Sequence, residues 1–200
     1  GGVRQGEDCC PALEPRGNAP AQLFVSSPTG GGESMMLMYL MAIAAAKRTL
    51  DLAAAYFVPD PLTRRALVEA LHRGVRVRIV VPGEHIDFHV VRRASRAHWG
   101  ELLEAGAEIR EYLPTMFHCK ALIVDGLLVS VGSTNFDNRS FRLNDEANLN
   151  VYDADFAARV TEAFERDLAR ARPMTHRRWH ARPWREKVVE RAAALLSPQL

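Results

Sequence analysis

Hydrophobic residues recur along this chain with two alternating periods. Segments of branched apolar residues predict strands at about 22–26, 49–56, 75–81, 107–112 and 146–152. Helical periodicity, in most cases bounded by a capping residue or a glycine, predicts helices at about 32–47, 61–73, 88–105, 153–171 and 184–196. Strands that alternate with helices predict an α/β fold whose mixed β-sheet is flanked by helices on both faces.

A β-hairpin is predicted between residues 117 and 131. The strand predicted at 117–124 is followed by Asp125-Gly126, a pair that favours a tight two-residue turn, and by a return strand at 127–131. Pairing centred on this turn places Leu122 opposite Val129. The hairpin makes the sheet mixed rather than parallel.

Polar groups gather at the open end of this hairpin. The same register places His118 opposite Ser133, and strand alternation puts Lys120 on the same face. Asn135 follows where the chain leaves the ladder. Cys119 is expected on the other face, as a small buried hydrophobic residue.

These residue types form the pattern H-x-K-x4-D-x6-G-S-x-N from His118 to Asn135. A neutral imidazole is a competent nucleophile near pH 7. An ammonium and fixed neutral donors stabilise the negative charge that develops on phosphate oxygens, without a metal ion. The pattern therefore predicts attack on a phosphodiester, with no metal and no cofactor.

The pattern resembles the signature motif of the phospholipase D superfamily. The resemblance implies that His118 is the nucleophile that forms a phosphohistidine. It implies that Lys120, Ser133 and Asn135 hold the non-bridging phosphate oxygens.

The resemblance assigns two further residues. Asp125 is implied to be structural and to fix the turn. Glu146, in the segment F-D-N-R-S-F-R-L-N-D-E at 136–146, stands at the spacing of the glutamate that orients the histidine in this superfamily.

The similarity continues outside the hairpin. The segments at 55–60, 74–83 and 136–146 resemble the C-terminal half of bacterial cardiolipin synthases, over about residues 21–200. This implies a phospholipase D-like fold and transfer of a phosphatidyl group from a phosphatidylglycerol-like phospholipid. The acceptor is either a lipid headgroup or water, because both use the same motif.

In-line displacement needs a second imidazole on the far side of phosphorus, and the chain contains one copy of the motif. The second copy is expected from another part of a longer protein or from a homodimer. A homodimeric phospholipase D or nuclease and a non-catalytic partner half are the alternative functions.

Residues 1–20 predict a linker, and a start at Gly-Gly predicts a fragment or processed product.

Composition limits the partners. A net charge of +2 makes nucleic acid an unlikely partner, and three cysteines do not form a disulfide framework, which favours a reducing compartment. The longest apolar segment, Met35 to Ala46, is shorter than the roughly 20 residues that cross a bilayer. It predicts a core helix, and the resemblance implies peripheral attachment to the cytoplasmic side of the inner membrane.

Two basic segments leave alternatives open. The residues from Arg170 to Arg191, with Trp179 and Trp184, suit either an anionic membrane surface or a solvated helix face. Arg139 and Arg142 suit either a lipid phosphate or nearby carboxylates.

Overall fold

The computed structural model describes residues 14, 17–28 and 34–196. The strands are β1 (Ala21–Ser26), β2 (Thr49–Ala54), β3 (Arg76–Pro82), β4 (Glu108–Tyr112), β5 (Lys120–Val124), β6 (Leu128–Gly132), β7 (Glu146–Tyr152) and β8 (Ala171–Met174). The helices are α1 (Ser34–Ala45), α2 (Pro61–His72), α3 (His89–Ala97), α4 (Trp99–Glu104), α5 (Asn138–Arg142), α6 (Ala154–Ala169), α7 (His176–His180) and α8 (Trp184–Ala194). Most of the linker predicted at 1–20, including Cys9 and Cys10, lies outside the described residues.

The strands form one mixed sheet in the order β1-β7-β6-β5-β2-β3-β4-β8. Strands β2, β3 and β4 are parallel, and the remaining pairs are antiparallel. Helices α1, α2 and α4 cover Leu52 and Ile79 on one face, whereas Phe164 of α6 covers Val80 and Ile123 on the other. The predicted mixed sheet with helices on both faces is confirmed.

The carboxyl ends of β2 and β3 and the start of β5 meet at one edge of the sheet, where Ala54 pairs with Lys120. The segment after β2 pairs with the segment after β6 through an isolated parallel β-bridge between Phe57 and Phe136. The amide of Val58 donates to the carbonyl of Phe136 at 2.9 Å, and both phenylalanines are buried. The edge that carries the motif is therefore rigidly attached to the core.

The single helix predicted at 88–105 is wrong, because the helix breaks at His98 into α3 and α4. The break lets Trp99 enter the core completely, where its Nε1 donates to Ser95 Oγ at 3.0 Å. Burial of one large ring therefore overrides the continuous helical pattern.

The segment after α6 differs from its prediction. Strand β8 was not predicted, and it pairs antiparallel with β4 to extend the sheet. Trp179 of α7 packs on Gly100 and donates to the carbonyl of Arg96 at 2.7 Å, so it belongs to the core rather than to a membrane surface.

Only one side of the methionine-rich helix α1 packs in the hydrophobic core. Met35 and Tyr39 are buried as expected, whereas Leu37 and Met41 remain 56% and 64% exposed. These two side chains line an apolar groove of about 510 Å³ between α1 and β1.

Candidate functional site

The hairpin forms, but the predicted register is wrong by one residue. Leu122 lies opposite Ser130 rather than Val129, so the loop comprises residues 125–127. A one-residue shift exchanges the faces of a strand. Here it turns Ser130 toward Asn148, which donates to Ser130 Oγ at 2.9 Å, and leaves Val129 to pack beneath α6.

His118 and Lys120 lie together although β5 begins only at Lys120. The Nζ of Lys120 is 3.2 Å from Nδ1 and 3.3 Å from Nε2 of His118, and the imidazole is exposed. An ammonium can only donate, so it engages an unprotonated ring nitrogen. Cys119 precedes the ladder as well, and the expectation that it is buried is wrong, because it is exposed.

The ammonium of Lys120 is held in a partly desolvated, acidic environment. Burial lowers the pKa of Lys120 below its usual range, opposed chiefly by the carboxylate of Glu146. The ring of Tyr56 meets the His118 ring edge-on, with centroids 6.3 Å apart, and the Tyr56 hydroxyl donates to Asp87 Oδ2 at 2.6 Å. Burial, followed by this carboxylate, raises the pKa of Tyr56.

Glu146 lies beside Ser133 at the start of β7. The hydroxyl of Ser133 donates to Glu146 Oε2 and accepts from the amide of Ala147 at 3.0 Å. Asn144 Nδ2 lies 3.4 Å from Glu146 Oε1. Among the described residues, no hydrogen bond joins Glu146 to His118, so within this chain the carboxylate orients the serine hydroxyl.

Beneath the motif lies a buried polar network. Asn148 donates to the Tyr39 hydroxyl at 3.0 Å, and its Oδ1 accepts from Thr134 Oγ1 at 2.8 Å. Burial raises the pKa of Tyr39 to about 12. At Gly132 a Cβ would lie 2.2 Å from the carbonyl oxygen of Ala147, so glycine allows the close approach that holds the next residues in place.

Asn135 forms part of a groove of about 460 Å³ that Tyr56 also lines. Its Oδ1 is buried without a hydrogen-bond partner in the described residues. The NH2 group of this half-buried amide can only donate, so it is a candidate donor to a phosphate. The groove is connected to His118 through Tyr56, which lines the groove and contacts the imidazole ring.

Asp125 lies at the opposite end of the hairpin from His118. Its carboxylate accepts from the amides of Lys47, Arg48 and Thr49 at 2.9, 2.7 and 2.9 Å, and its φ is 54°. Partial burial raises the pKa of Asp125, but the three amide hydrogen bonds and the charge of Arg48 lower it more. The pKa of Asp125 therefore lies below its usual value. Asp125 ties the turn to the start of β2 and does not contact the site.

A carboxyl group that sequence reasoning missed lies in the groove. Asp137 is 3% exposed and caps α5, with Oδ1 2.8 Å from the amide of Ser140. Burial raises the pKa of Asp137 to about 6, with a further contribution from the charge of Glu146.

We expect Asp137→Asn to stabilise the protein at pH 7. A folded-state pKa above the unfolded value of about 3.9 means that wild-type stability falls as pH rises from about 4 to about 6 and then stays level. Asparagine keeps the cap without the buried charge. The gain at pH 7 should be about 1–3 kcal/mol and should shrink toward pH 4, as measured by urea unfolding at several pH values.

The matched control is Asp153→Asn at the half-buried cap of α6, whose Oδ1 accepts from Phe156 at 2.7 Å. It should show no comparable gain. An Asp137→Asn protein that loses stability at pH 7 would contradict the expectation.

Sequence reasoning also missed Tyr39, Tyr56 and Asn148. A signal for Asn148 was present, because β7 alternates Glu146, Asn148 and Asn150 with apolar residues. The polar set faces inward, and Leu149 is 41% exposed, which inverts the usual pattern. Such an inversion indicates a polar site under a strand.

Two searches of the described residues bear on ligands and membranes. No cluster of three or more His, Cys, Asp or Glu side chains could bind a metal ion there. No helix there has the length and apolar character to cross a bilayer.

Comparison with known proteins places this arrangement in a family. The model of the family described as the phospholipase D-like domain of cardiolipin synthase matches residues 39–168. A cardiolipin synthase of Geobacillus thermodenitrificans is 37% identical over 95% of this chain and 38% of its own length. The major cardiolipin synthase of Bacillus subtilis is 35% identical over 95% of this chain and 39% of its own.

Solved structures show the same fold. The phospholipase D family member Nuc from Salmonella typhimurium superposes with a TM-score of 0.67 at 24% identity, over 79% of this chain and 99% of that one. Phosphatidylserine synthase from Haemophilus influenzae superposes with a TM-score of 0.72 at 15% identity, over 90% of this chain and 47% of that one.

The chain spans less than two fifths of the length of the cardiolipin synthases that it matches. The matched part nevertheless contains the whole hairpin, the segment after it and strand β7. The chain therefore belongs to the family of cardiolipin synthase phospholipase D-like domains.

Proposed function

We propose that this chain supplies one catalytic histidine of a phosphatidyltransferase that makes cardiolipin through a phosphohistidine at His118. The observation that carries the proposal is the exposed imidazole in contact with the Lys120 ammonium, beside a groove that Asn135 lines. This arrangement supplies a nucleophile and phosphate-binding donors together.

In the first step, an unprotonated nitrogen of His118 attacks the phosphorus of the donor lipid. The N–P bond forms as the P–O bond to the headgroup alcohol breaks, and the leaving alkoxide takes a proton from the second imidazole. The acceptor alcohol then attacks phosphorus, returns a proton to that imidazole and breaks the N–P bond. Lys120 and Asn135 donate to the non-bridging oxygens in both steps, and Ser133 does so when its hydroxyl proton turns from Glu146 to the phosphate.

Two carboxylates support this chemistry. Glu146 is proposed to orient an imidazole in the complete enzyme, and its charge already acts on Lys120, which contacts the His118 ring. Asp125 is proposed to be structural, which its three backbone hydrogen bonds support.

The second imidazole is proposed to come from another motif-bearing half. Because the relatives extend far beyond the matched part, they have room for a further domain of this size. A homodimer of this chain, acting as a metal-independent phosphodiesterase, would supply the same groups and is the alternative. A chain that remains monomeric by sedimentation would contradict the homodimer.

Phosphatidylglycerol is proposed as both donor and acceptor. The test is incubation of the complete enzyme with phosphatidylglycerol vesicles in EDTA, followed by mass spectrometry of lipids and released alcohol. Cardiolipin and glycerol should appear in equal amounts. Phosphatidic acid without cardiolipin would show that water is the acceptor, and the absence of both products would reject the proposal.

A peripheral position on the cytoplasmic side of the inner membrane is part of the proposal, and α8 supplies the surface. Trp184, Val188 and Leu195 are 70%, 55% and 81% exposed. Arg185 and Arg191 are exposed on the same helix, so the surface is complementary to anionic lipid. We define these five residues as the α8 surface.

The buried side of helix α8 packs against residues that line the groove. Ala193 of α8 is buried against Val58 and Val91, and Tyr56 packs on the same cluster. Since Tyr56 and Val91 also line the groove, helix α8 is connected to the site through this cluster.

The variant Trp184→Ser/Leu195→Ser should bind vesicles that contain phosphatidylglycerol at least about tenfold more weakly, because two large apolar side chains no longer enter the bilayer interface. Co-sedimentation at increasing salt measures this. Leu37→Ser, on the exposed side of α1, is the matched control and should bind as the wild type does. Equal binding by the double variant would exclude the α8 surface.

A further inference from the structure

The groove beside His118 has two unlike walls. Its volume is about 460 Å³, which suits a small headgroup rather than a macromolecule. One wall is apolar and includes Phe88, 58% exposed, and Val91. The other wall is formed by the segment after the motif, which includes Asn135 and Arg139.

Arg139 is the cation of this groove. Its guanidinium is exposed, and among the described residues it has neither a hydrogen bond nor an ion pair. No nearby carboxylate forms an ion pair with it there, although its charge partly opposes the rise in the pKa of Asp137. Unpaired guanidinium groups bind phosphate through two parallel hydrogen bonds.

The backbone that carries Arg139 is fixed. The side chain of Asp137 caps the helix, and Phe141 is buried with 1% exposure. The carbonyl of Arg139 accepts from the amides of Leu143 and Asn144 at 2.8 and 2.9 Å. Arg139 thus projects from a short, anchored element, so a ligand that it binds would be held at a defined position.

The groove and the motif offer two separate sets of phosphate donors. Lys120 contacts the His118 ring, so it serves the phosphate that reacts there. Arg139 lines the same groove as Asn135 and Tyr56, and the ring of Tyr56 meets the ring of His118 edge-on. A ligand that occupies both sets carries two phosphates joined by a short linker.

We propose that Arg139 binds the phosphodiester of the acceptor, and that the groove is the subsite for a glycerol-type alcohol bearing its own phosphate. This rests on the proposed function and extends it, because it explains how an alcohol attached to phosphate is selected over water. The acceptor hydroxyl lies toward His118, and the carbons of the headgroup pack on Phe88 and Val91. The same phosphodiester occurs in a lipid headgroup and in its soluble, deacylated form.

The experiment compares acceptors in the complete enzyme with a fixed donor lipid. The acceptors are phosphatidylglycerol in vesicles, soluble glycerophosphoglycerol and free glycerol, which has no phosphate. Arg139→Ala should raise the KM for both phosphate-bearing acceptors about 10- to 100-fold, the value of a hydrogen bond to a charged group. Transfer to free glycerol should be unchanged.

Two further variants make the result specific. Arg139→Lys should recover part of the loss, because it restores the charge without the paired donors. Arg65→Ala, on the exposed side of α2, is the matched control and should leave every KM unchanged. Thermal unfolding should be the same for all three variants.

Each of the other possible results contradicts a specific part of the two proposals. An unchanged KM for both phosphate-bearing acceptors, or an equal loss with free glycerol, overturns the assignment of Arg139 while leaving the proposed function intact. A raised KM for the vesicle acceptor alone overturns the shared-phosphodiester assignment in favour of a lipid-surface effect. A wild-type enzyme that transfers to no acceptor overturns the proposed function and this assignment with it.

Discussion

Replacing His118 by alanine should reduce phosphatidyl transfer at least about a thousandfold, because the substitution removes the proposed nucleophile. The imidazole is exposed and contacts mainly Lys120 and Tyr56, so its loss should leave the fold intact. The measurement is the initial rate at which the complete enzyme forms cardiolipin from phosphatidylglycerol, together with the thermal unfolding temperature.

The matched control is His72→Ala. His72 is an exposed histidine that ends α2, near the start of β2 and therefore at the opposite edge of the sheet from the motif. This variant should retain wild-type activity. Mass spectrometry after a neutral quench should detect a phosphatidyl group on His118 in the wild type. An alanine variant that keeps a tenth or more of the activity would remove His118 from the mechanism.

Arg78→Met should lower the free energy of unfolding by about 3–5 kcal/mol, the second large effect. Arg78 and Asp51 are both almost completely buried on adjacent strands, with Nε and Nη2 of the guanidinium 2.6 and 2.7 Å from the two carboxylate oxygens. The hydrogen bond to Asp51 raises the pKa of Arg78. Methionine fills similar space but leaves the Asp51 carboxylate buried without a partner.

Guanidinium unfolding of three variants tests this explanation. Adding Asp51→Leu to Arg78→Met should recover most of the lost stability, because the double variant no longer buries an unpaired carboxylate. Glu165→Gln should cost less than about 1 kcal/mol, since that carboxylate is 49% exposed although it lies 2.6 Å from Arg78. If the double variant is as unstable as Arg78→Met, the loss arises from packing rather than from the unpaired carboxylate.

The contact between His118 and Lys120 was predictable because the two residues are close in sequence. The contact between His118 and Lys120 spans two residues, and it forms although His118 precedes the strand. The turn at Asp125-Gly126 was predictable for the same reason, since both residues adopt positive φ values of 54° and 65°.

The register of the hairpin was not predictable from the turn alone. The choice between Val129 and Ser130 opposite Leu122 depends on which side chain finds a partner on each face. The hydroxyl of Ser130 accepts a hydrogen bond from Asn148, which lies 18 residues away in sequence. A local rule for turns cannot include such a contact.

The burial of individual charged residues could not be predicted from the sequence either. Arg78 alternates with valine and isoleucine along β3, yet its side chain is 5% exposed because Asp51 and α6 enclose it. Arg139 shows the reverse case, since its sequence neighbour Asp137 suggested an ion pair and the fold instead leaves the guanidinium open to the groove.

The sequence by itself determined the alternation of strands and helices and the set of groups that can attack and hold a phosphodiester, since periodicity and motif spacing are local properties. The tertiary structure decided the strand register, the inward-facing polar side of β7, the burial of Arg78 and the open guanidinium of Arg139. These features depend on contacts between distant segments, where the cost of an unpaired polar group in the core selects one arrangement among several that local patterns allow.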